Sequence, residues 1–309
     1  MAAPKDYRFL VRWGGRAIVV VALIFLAWKA REHWAVLSTW SPTPRTAGLL
    51  FACSVAYGVG MMFIGESWHQ ILSGVAEGRL SRFVTWPSFG VTQVAKYLPG
   101  NVFHYVGRHV WLKQQGVTHR AALTATAWEV VLMASTALGV AALLLMFWPI
   151  EIASLPAATV SLAASAVAAV LLLVLILVQV AGRRISRLQP FVPAQTALVL
   201  SPFALLGFFG LQGTVFYLLF HAVDATPVVA VAAIANLAWL VGYATPGAPG
   251  GIGSREALLV AMITPLAGPS NALILAALFR LVTTLGDFVC FALSSLVARA
   301  APAERATAA

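Results

Sequence analysis

Charge is what this chain has least of. Only 10% of its 309 residues are Asp, Glu, Lys or Arg, while 61% are hydrophobic, and so small a polar supply cannot cover a water-facing globular surface of this size. A soluble globular class is excluded, and an all-α polytopic membrane protein is expected. Cysteine is scarce as well: Cys53 and Cys290 are the two present, both in apolar runs, where they act as small apolar residues and form no disulfide framework. His104, His109 and His119 lack metal-ligand spacing, and the sequence contains no His-Glu-x-x-His. No metal and no cofactor are therefore expected, and no Ser/His/Asp or Cys/His arrangement offers a nucleophile. Acidic residues are outnumbered, giving a formal charge of +10. The basic residues are spread over short inter-helix loops, which the positive-inside bias explains without a nucleic-acid partner.

Apolar stretch is what the chain has most of. Candidate spans lie near 13–35, 46–70, 120–148, 156–181, 196–221, 227–245, 254–267 and 270–298, about eight transmembrane helices for a hydrocarbon core about 30 Å thick. They read as one integral membrane domain over 1–309 with no soluble domain. Lys5, Arg8, Arg12 and Arg16 precede the first run as in a signal peptide, but no small-residue cleavage site follows, so an uncleaved span is expected. In the second run Ala52, Ala56 and Gly60 recur every four residues, which predicts a close helix–helix contact along that stripe. With the N-terminus inside, only Lys29, Arg31 and Arg45 fall outside, and the outer loops near 149–155, 222–226 and 265–269 carry no Lys or Arg. An inner-membrane protein with both termini cytoplasmic is expected.

Two stretches break the helical pattern. In Tyr243-Ala-Thr-Pro-Gly-Ala-Pro-Gly-Gly-Ile-Gly-Ser-Arg-Glu256, two prolines and four glycines make a continuous helix untenable. A broken helix in a bilayer is tolerated where protein or a water-filled cavity satisfies the freed backbone, and such breaks mark transporter binding sites. A plain turn between two spans accounts for the composition equally well. The second break, Val94-Ala-Lys-Tyr-Leu-Pro-Gly-Asn-Val-Phe-His-Tyr-Val-Gly-Arg108, has arms too short to span. It reads as a re-entrant hairpin or as an interfacial helix pair. Re-entrant or broken helices are thus expected near 94–114 and 243–265. Tyr97-Leu-Pro-Gly100 before Arg108 echoes Tyr243-Ala-Thr-Pro-Gly247 before Arg255; an internal repeat with a site at its centre and a chance echo both stay open.

Charges inside spans disfavour insertion by about 2.5–3.5 kcal/mol each, so every one retained implies a partner. Glu129, Glu256, Arg280 and Asp287 are the four. Arg280 and Asp287 stand two turns apart on one helix face, about 10 Å by helical rise, too far to pair with each other. Each needs a partner on another helix or a ligand, and a purely internal ion-pair network is the alternative to a substrate site.

Lys96-Tyr-Leu-Pro-Gly-Asn-Val102 with Gly107-Arg108, and Pro249-Gly-Gly-Ile-Gly-Ser-Arg-Glu256, resemble the two signature segments of the lysylphosphatidylglycerol synthase transmembrane-region family, the flippase-like domain of the multiple peptide resistance factors. The resemblance extends over nearly the whole chain in length and span order. It implies an eight-span bundle with re-entrant segments that moves a phospholipid or a polyprenyl-phosphate-linked glycolipid between leaflets. It also carries over Lys96, Tyr97, Pro99, Gly100, Asn101, Arg108, Gly250, Gly251, Gly253, Arg255 and Glu256 as substrate-binding candidates. Burial adds Arg280 to that set, with Glu129 and Asp287 balancing charge. Only a short tail follows Arg299, so the aminoacyl-transferase domain of full-length synthases, and enzymatic activity with it, is not expected. The expected partner is a membrane lipid or lipid-linked sugar. The rival expectation is a non-transporting membrane subunit that holds a lipid- or glycan-modifying enzyme.

Overall fold

The computed structural model describes residues 43–76, 78, 80–98, 101–150, 156–185, 189–224, 228–245 and 248–300. The expected first span, 13–35, and the candidates Pro99 and Gly100 lie outside these. The described residues form eight α-helices, and no strand occurs among them. They are α1 (Pro44–Val75), α2 (Arg82–Gln93), α3 (Phe103–Gln114), α4 (His119–Phe147), α5 (Ala157–Arg184), α6 (Gln195–Val223), α7 (Val231–Ala244) and α8 (Ser254–Ala300). Starts are set by local chemistry. The Thr43, Ser81 and Thr118 hydroxyls accept from the Thr46, Phe83 and Ala121 amides, capping α1, α2 and α4. Five segments are long and apolar enough to cross a membrane: α1, α4, α5, α6 with the turn before it, and α8 with the turn before it.

α8 is two helices. Gly268 at φ 81°, ψ 164° interrupts it, and Arg280 lies 3.3 Å from Glu256, although a straight helix would hold these residues about 36 Å apart. The chain therefore reverses at Gly268, and 254–267 packs antiparallel to 269–300. The short arm and α7 are both about 21 Å long by helical rise, too short to span. They form a hairpin that enters the bundle and returns to the same end. The expected crossings at 227–245 and 254–267 are thus corrected to the two arms of one re-entrant hairpin. Because the arms come as a pair, the direction of the final helix is the one the eight-crossing reading required.

Side-chain neighbours give the directions. Along α1 and α6, Gly60 meets Leu211, Phe63 meets Gly207, and Ser67 bonds Ser201, an antiparallel pair. α7 runs back down α6, with Ala232 on Gly213, Asn236 on Gln212 and Trp239 on Phe209. α2 runs back along α1, Thr85 bonding His69 and Phe89 facing Gly65, and α3 returns along α2, with Gly107 against Thr92. The second arm of α8 runs parallel to α1: Gly286, Val289 and Ser294 meet Ser54, Gly58 and Met62. The result is two halves of inverted direction. One is α1, the hairpin α2–α3, then α4; the other is α6, the hairpin α7–short arm, then the long arm of α8. Each hairpin enters from the opposite end of the bundle. α5 links the halves and is mostly turned outward, only 12% of its apolar window being buried.

Arg82, Lys113, Arg120, Arg184 and Arg299 sit at helix termini of one end, and Arg45 sits at the other. The predicted Ala52–Gly60 stripe is only partly a contact. Gly60 packs on Leu211, but Ala52 is exposed; Ser54 and Gly58 make the closest approach, against α8. Several elements press on α1, so its small residues are shared among faces, Gly60 toward α6, Gly58 toward α8 and Gly65 toward α2. Cys53 and Cys290 are buried and unpaired.

Candidate functional site

The hairpins meet tip to tip in the middle of the bundle. Arg280 stands about 18 Å along the final helix from Gly268 by helical rise, and its Nη1 donates to the Gly250 carbonyl at 2.9 Å. The Gly250 backbone also abuts the Tyr97 ring, since a Cβ added there would fall 2.9 Å from that ring. The Tyr105 and Tyr243 hydroxyls hydrogen-bond at 2.7 Å, joining the arms of opposite hairpins.

Backbone chemistry explains why these tips are where they are. In the first, the helix tightens to a 3-10 turn at Val94–Tyr97, and Asn101 takes φ 53°, the one positive φ of a non-glycine among the described residues; Asn tolerates it better than most residues. In the second, Gly251 has φ 71°, and a Cβ there would lie 2.8 Å from the Gly242 Cα. Glycine is required twice over, for the left-handed conformation and for the approach of the tip to α7. The candidate glycines thus serve packing first: Gly250 seats Tyr97 and Gly251 seats Gly242. The Gly253 amide donates to Glu256 Oε2 at 2.6 Å, so Glu256 reaches back to cap its own helix.

Every buried carboxylate at the tips has a cation. Lys96 Nζ lies 2.8 Å from Asp287 Oδ1, and the Tyr97 hydroxyl donates to the other oxygen of the same carboxylate. Arg108 Nη1 donates to Glu129 Oε2, with both side chains about 1–2% exposed. Arg280 is bound to Glu256. Arg280 and Asp287, too far apart to pair with each other, each reach across to a hairpin tip as their spacing requires. Arg108 is also wedged between rings, its Cζ 4.4 Å from the centre of Trp68 and 5.0 Å from that of Phe89.

Arg255 differs. It is only 6% exposed and lies over the Phe279 ring at 4.5 Å, with the Tyr57 hydroxyl as its polar neighbour. No carboxylate stands within 4.0 Å of it among the described residues, and its Nε and Nη2 have no hydrogen-bond partner. It faces a cavity between the tips with about 620 Å³ of space between atoms, its mouth included. Lys96, Asn101, Arg108, Glu129, Gly250 and Gly251 line the same cavity, whereas Glu256, Arg280 and Asp287 do not.

Of the candidates, then, the fold gathers Lys96, Tyr97, Asn101, Arg108, Glu129, Gly250, Gly251, Arg255, Glu256, Arg280 and Asp287 into one region, with Gly253 at its edge in open space. The sequence did not single out Tyr57, Gln93, His104, Tyr105 and Trp239, which also line the cavity. Three of these are aromatic residues that look like ordinary interfacial or core side chains. Tyr105 carried one readable signal, since it stands inside the first break as Tyr243 stands at the start of the second.

No curated protein matches the chain. The family model for the lysylphosphatidylglycerol synthase TM region matches residues 13–290, a stretch that contains both hairpins, both tips and every charged residue of the cavity, and the chain belongs to that family.

Proposed function

We propose that the protein moves a phospholipid or a polyprenyl-phosphate-linked glycolipid across the inner membrane, with the tip cavity holding the phosphate while the tails remain in lipid. The observation that carries this is Arg255, a guanidinium nine-tenths buried at mid-bundle, facing a cavity, with no carboxylate partner among the described residues. A buried charge without an ion-pair partner inside a membrane bundle is retained where it meets a ligand or an ion pathway. Two oppositely entering hairpins whose broken ends meet in the middle of the bundle are the architecture on which alternating access is built. Arg255 contacts the phosphate through its unpartnered nitrogens, while Arg108, tied to Glu129, lines the cavity beside it. Lys96, Arg280 and Asp287 hold the two tips at their working distance. The basic end of the bundle faces the cytoplasm.

The deciding experiment uses proteoliposomes containing a headgroup-labelled phosphatidylglycerol and an impermeant quencher. Protein-dependent loss of the protected inner-leaflet signal, abolished by Arg255→Gln in a folded variant, is the expected result. Absence of movement under every ion gradient, with a lipid-modifying enzyme recovered on mild purification, replaces transport by a scaffolding role. Orientation is read separately: Thr118→Cys should label only from the cytoplasm, and Ser270→Cys only from outside.

A further inference from the structure

The charges at the tips can be counted. Among the described residues, four cations stand there, Lys96, Arg108, Arg255 and Arg280, against three carboxylates, Glu129, Glu256 and Asp287. Three of the cations are consumed in pairs, and the sum is one positive charge centred on Arg255. The other titratable groups facing the cavity are Tyr57, Tyr105, Tyr243 and His104. Tyrosines are neutral at ordinary pH. His104 is buried beside Lys96 and Arg108, and its Nδ1 has no partner; two neighbouring cations disfavour a third charge there.

From this count we infer that the cavity is a receptor for one negative charge, so that its ligand is a phosphodiester and not a phosphomonoester or a diphosphate. This rests on the reading of the tip cavity as a phosphate site. A phosphodiester carries one negative charge and brings the charges at the tips to neutrality. A phosphomonoester above its second pKa of about 6 carries nearly two, and a diphosphate diester carries two. Either leaves a net negative charge where the effective dielectric is low, and the nearest group to bear the repulsion is Glu129, which lines the same cavity. Such a ligand enters only with a proton taken up at its own oxygen, at Glu129 or at His104, whereas a phosphodiester needs none. The proposed substrate class thereby narrows to phosphodiester phospholipids and to sugars joined to a polyprenol through a single phosphate.

The test is equilibrium binding to the full chain in nanodiscs, read by native mass spectrometry at pH 8, with dioleoylphosphatidylglycerol against dioleoylphosphatidic acid. Phosphatidylglycerol should bind at least about tenfold more tightly, and only phosphatidic acid should gain affinity as the pH falls to 6. Glu129→Gln raises the net charge by one and should move the preference toward phosphatidic acid. Glu256→Gln, which changes the same count from outside the cavity, should shift it the same way and guards against a folding defect in the first variant. Water-soluble glycerophosphoglycerol separates the two sources of the chemistry: competition places recognition in the headgroup alone, and no competition with the lipid preference intact shows that the tails are also needed. Both support the inference. Equal affinity for the two lipids at pH 8, or no change of preference in either glutamine variant, overturns it. The two readings fail separately, because charge-selective binding without lipid movement removes transport and keeps the receptor, while movement without charge selectivity does the reverse.

Discussion

The two hairpins are built from the same parts and hold their arginines differently. Each is a pair of short helices joined by a Pro- and Gly-containing break, each has a tyrosine before the break and an arginine in the returning arm, and each tip contacts the other half. Arg108 in the first is wedged between Trp68 and Phe89 and tied to Glu129. Arg255 in the second lies on one ring, Phe279, with the Tyr57 hydroxyl beside it, and the final helix offers a cation, Arg280, in the region where α4 offers Glu129. Similar burial thus serves different ends. A paired guanidinium holds helices together, and an unpaired one is left with binding capacity to spend on something that arrives.

The largest test of this contrast is to remove each arginine in turn. Arg108→Ala leaves Glu129 charged and buried without its partner and also empties the space between two rings, so a loss of about 3–5 kcal/mol is expected, read as a lower melting temperature in detergent. Arg255→Met keeps most of the volume and removes a charge that no carboxylate balances. Its melting temperature should stay level or rise, while phosphatidylglycerol binding is lost. Comparable destabilisation by the two changes would erase the distinction between the hairpins.

A second comparison sets the tips against each other. Gly251→Ala forces a side chain into the Gly242 backbone at a left-handed residue, and about 1–3 kcal/mol should be lost. Gly251→Leu, a bulkier change at the same residue, should disrupt the hairpin itself. Asn101→Gly relieves a left-handed non-glycine and should be close to neutral. The measurement is the urea or thermal stability of each variant, and a larger loss from Asn101→Gly than from Gly251→Ala would reverse the assignment of which tip is the tighter.

Arg280 lies between these cases, since it binds both the Gly250 carbonyl and Glu256 but is about 17% exposed in its side chain. Arg280→Ala should destabilise by about 1–3 kcal/mol, with partial recovery in Arg280→Ala/Glu256→Gln. Full stability of the single variant would return Arg280 to the list of phosphate ligands. The smallest effect belongs to the contact between hairpins: Tyr105→Phe should lose about 1 kcal/mol, and a double cycle with Tyr243→Phe should show the two losses to be one.

Much of this was readable in order along the chain. The scarcity of charge determined the membrane class, the Pro/Gly clusters marked both breaks, Glu129, Glu256, Arg280 and Asp287 stood out because charge in an apolar run is disfavoured wherever it lies, and Arg255 came from its place in the second break. Lys96 and Arg108 came from their place in the first break. These are properties of composition and of local backbone preference, which act between near neighbours and need no knowledge of the fold.

Which cation each carboxylate holds is a different kind of fact. Asp287 meets Lys96 across 191 positions of chain, and Tyr105 meets Tyr243 across 138; no periodicity encodes such a pairing. Hydropathy could not separate a crossing from half a hairpin either, since α7 and the first arm of α8 are as apolar as spans and differ from them in length and in the reversal at Gly268. Apolar runs are written locally because every segment must satisfy its own backbone in lipid. Partners were decided only when the halves packed in opposite directions and set two tips against each other, leaving Arg255, among the described residues, as the tip cation without a carboxylate mate.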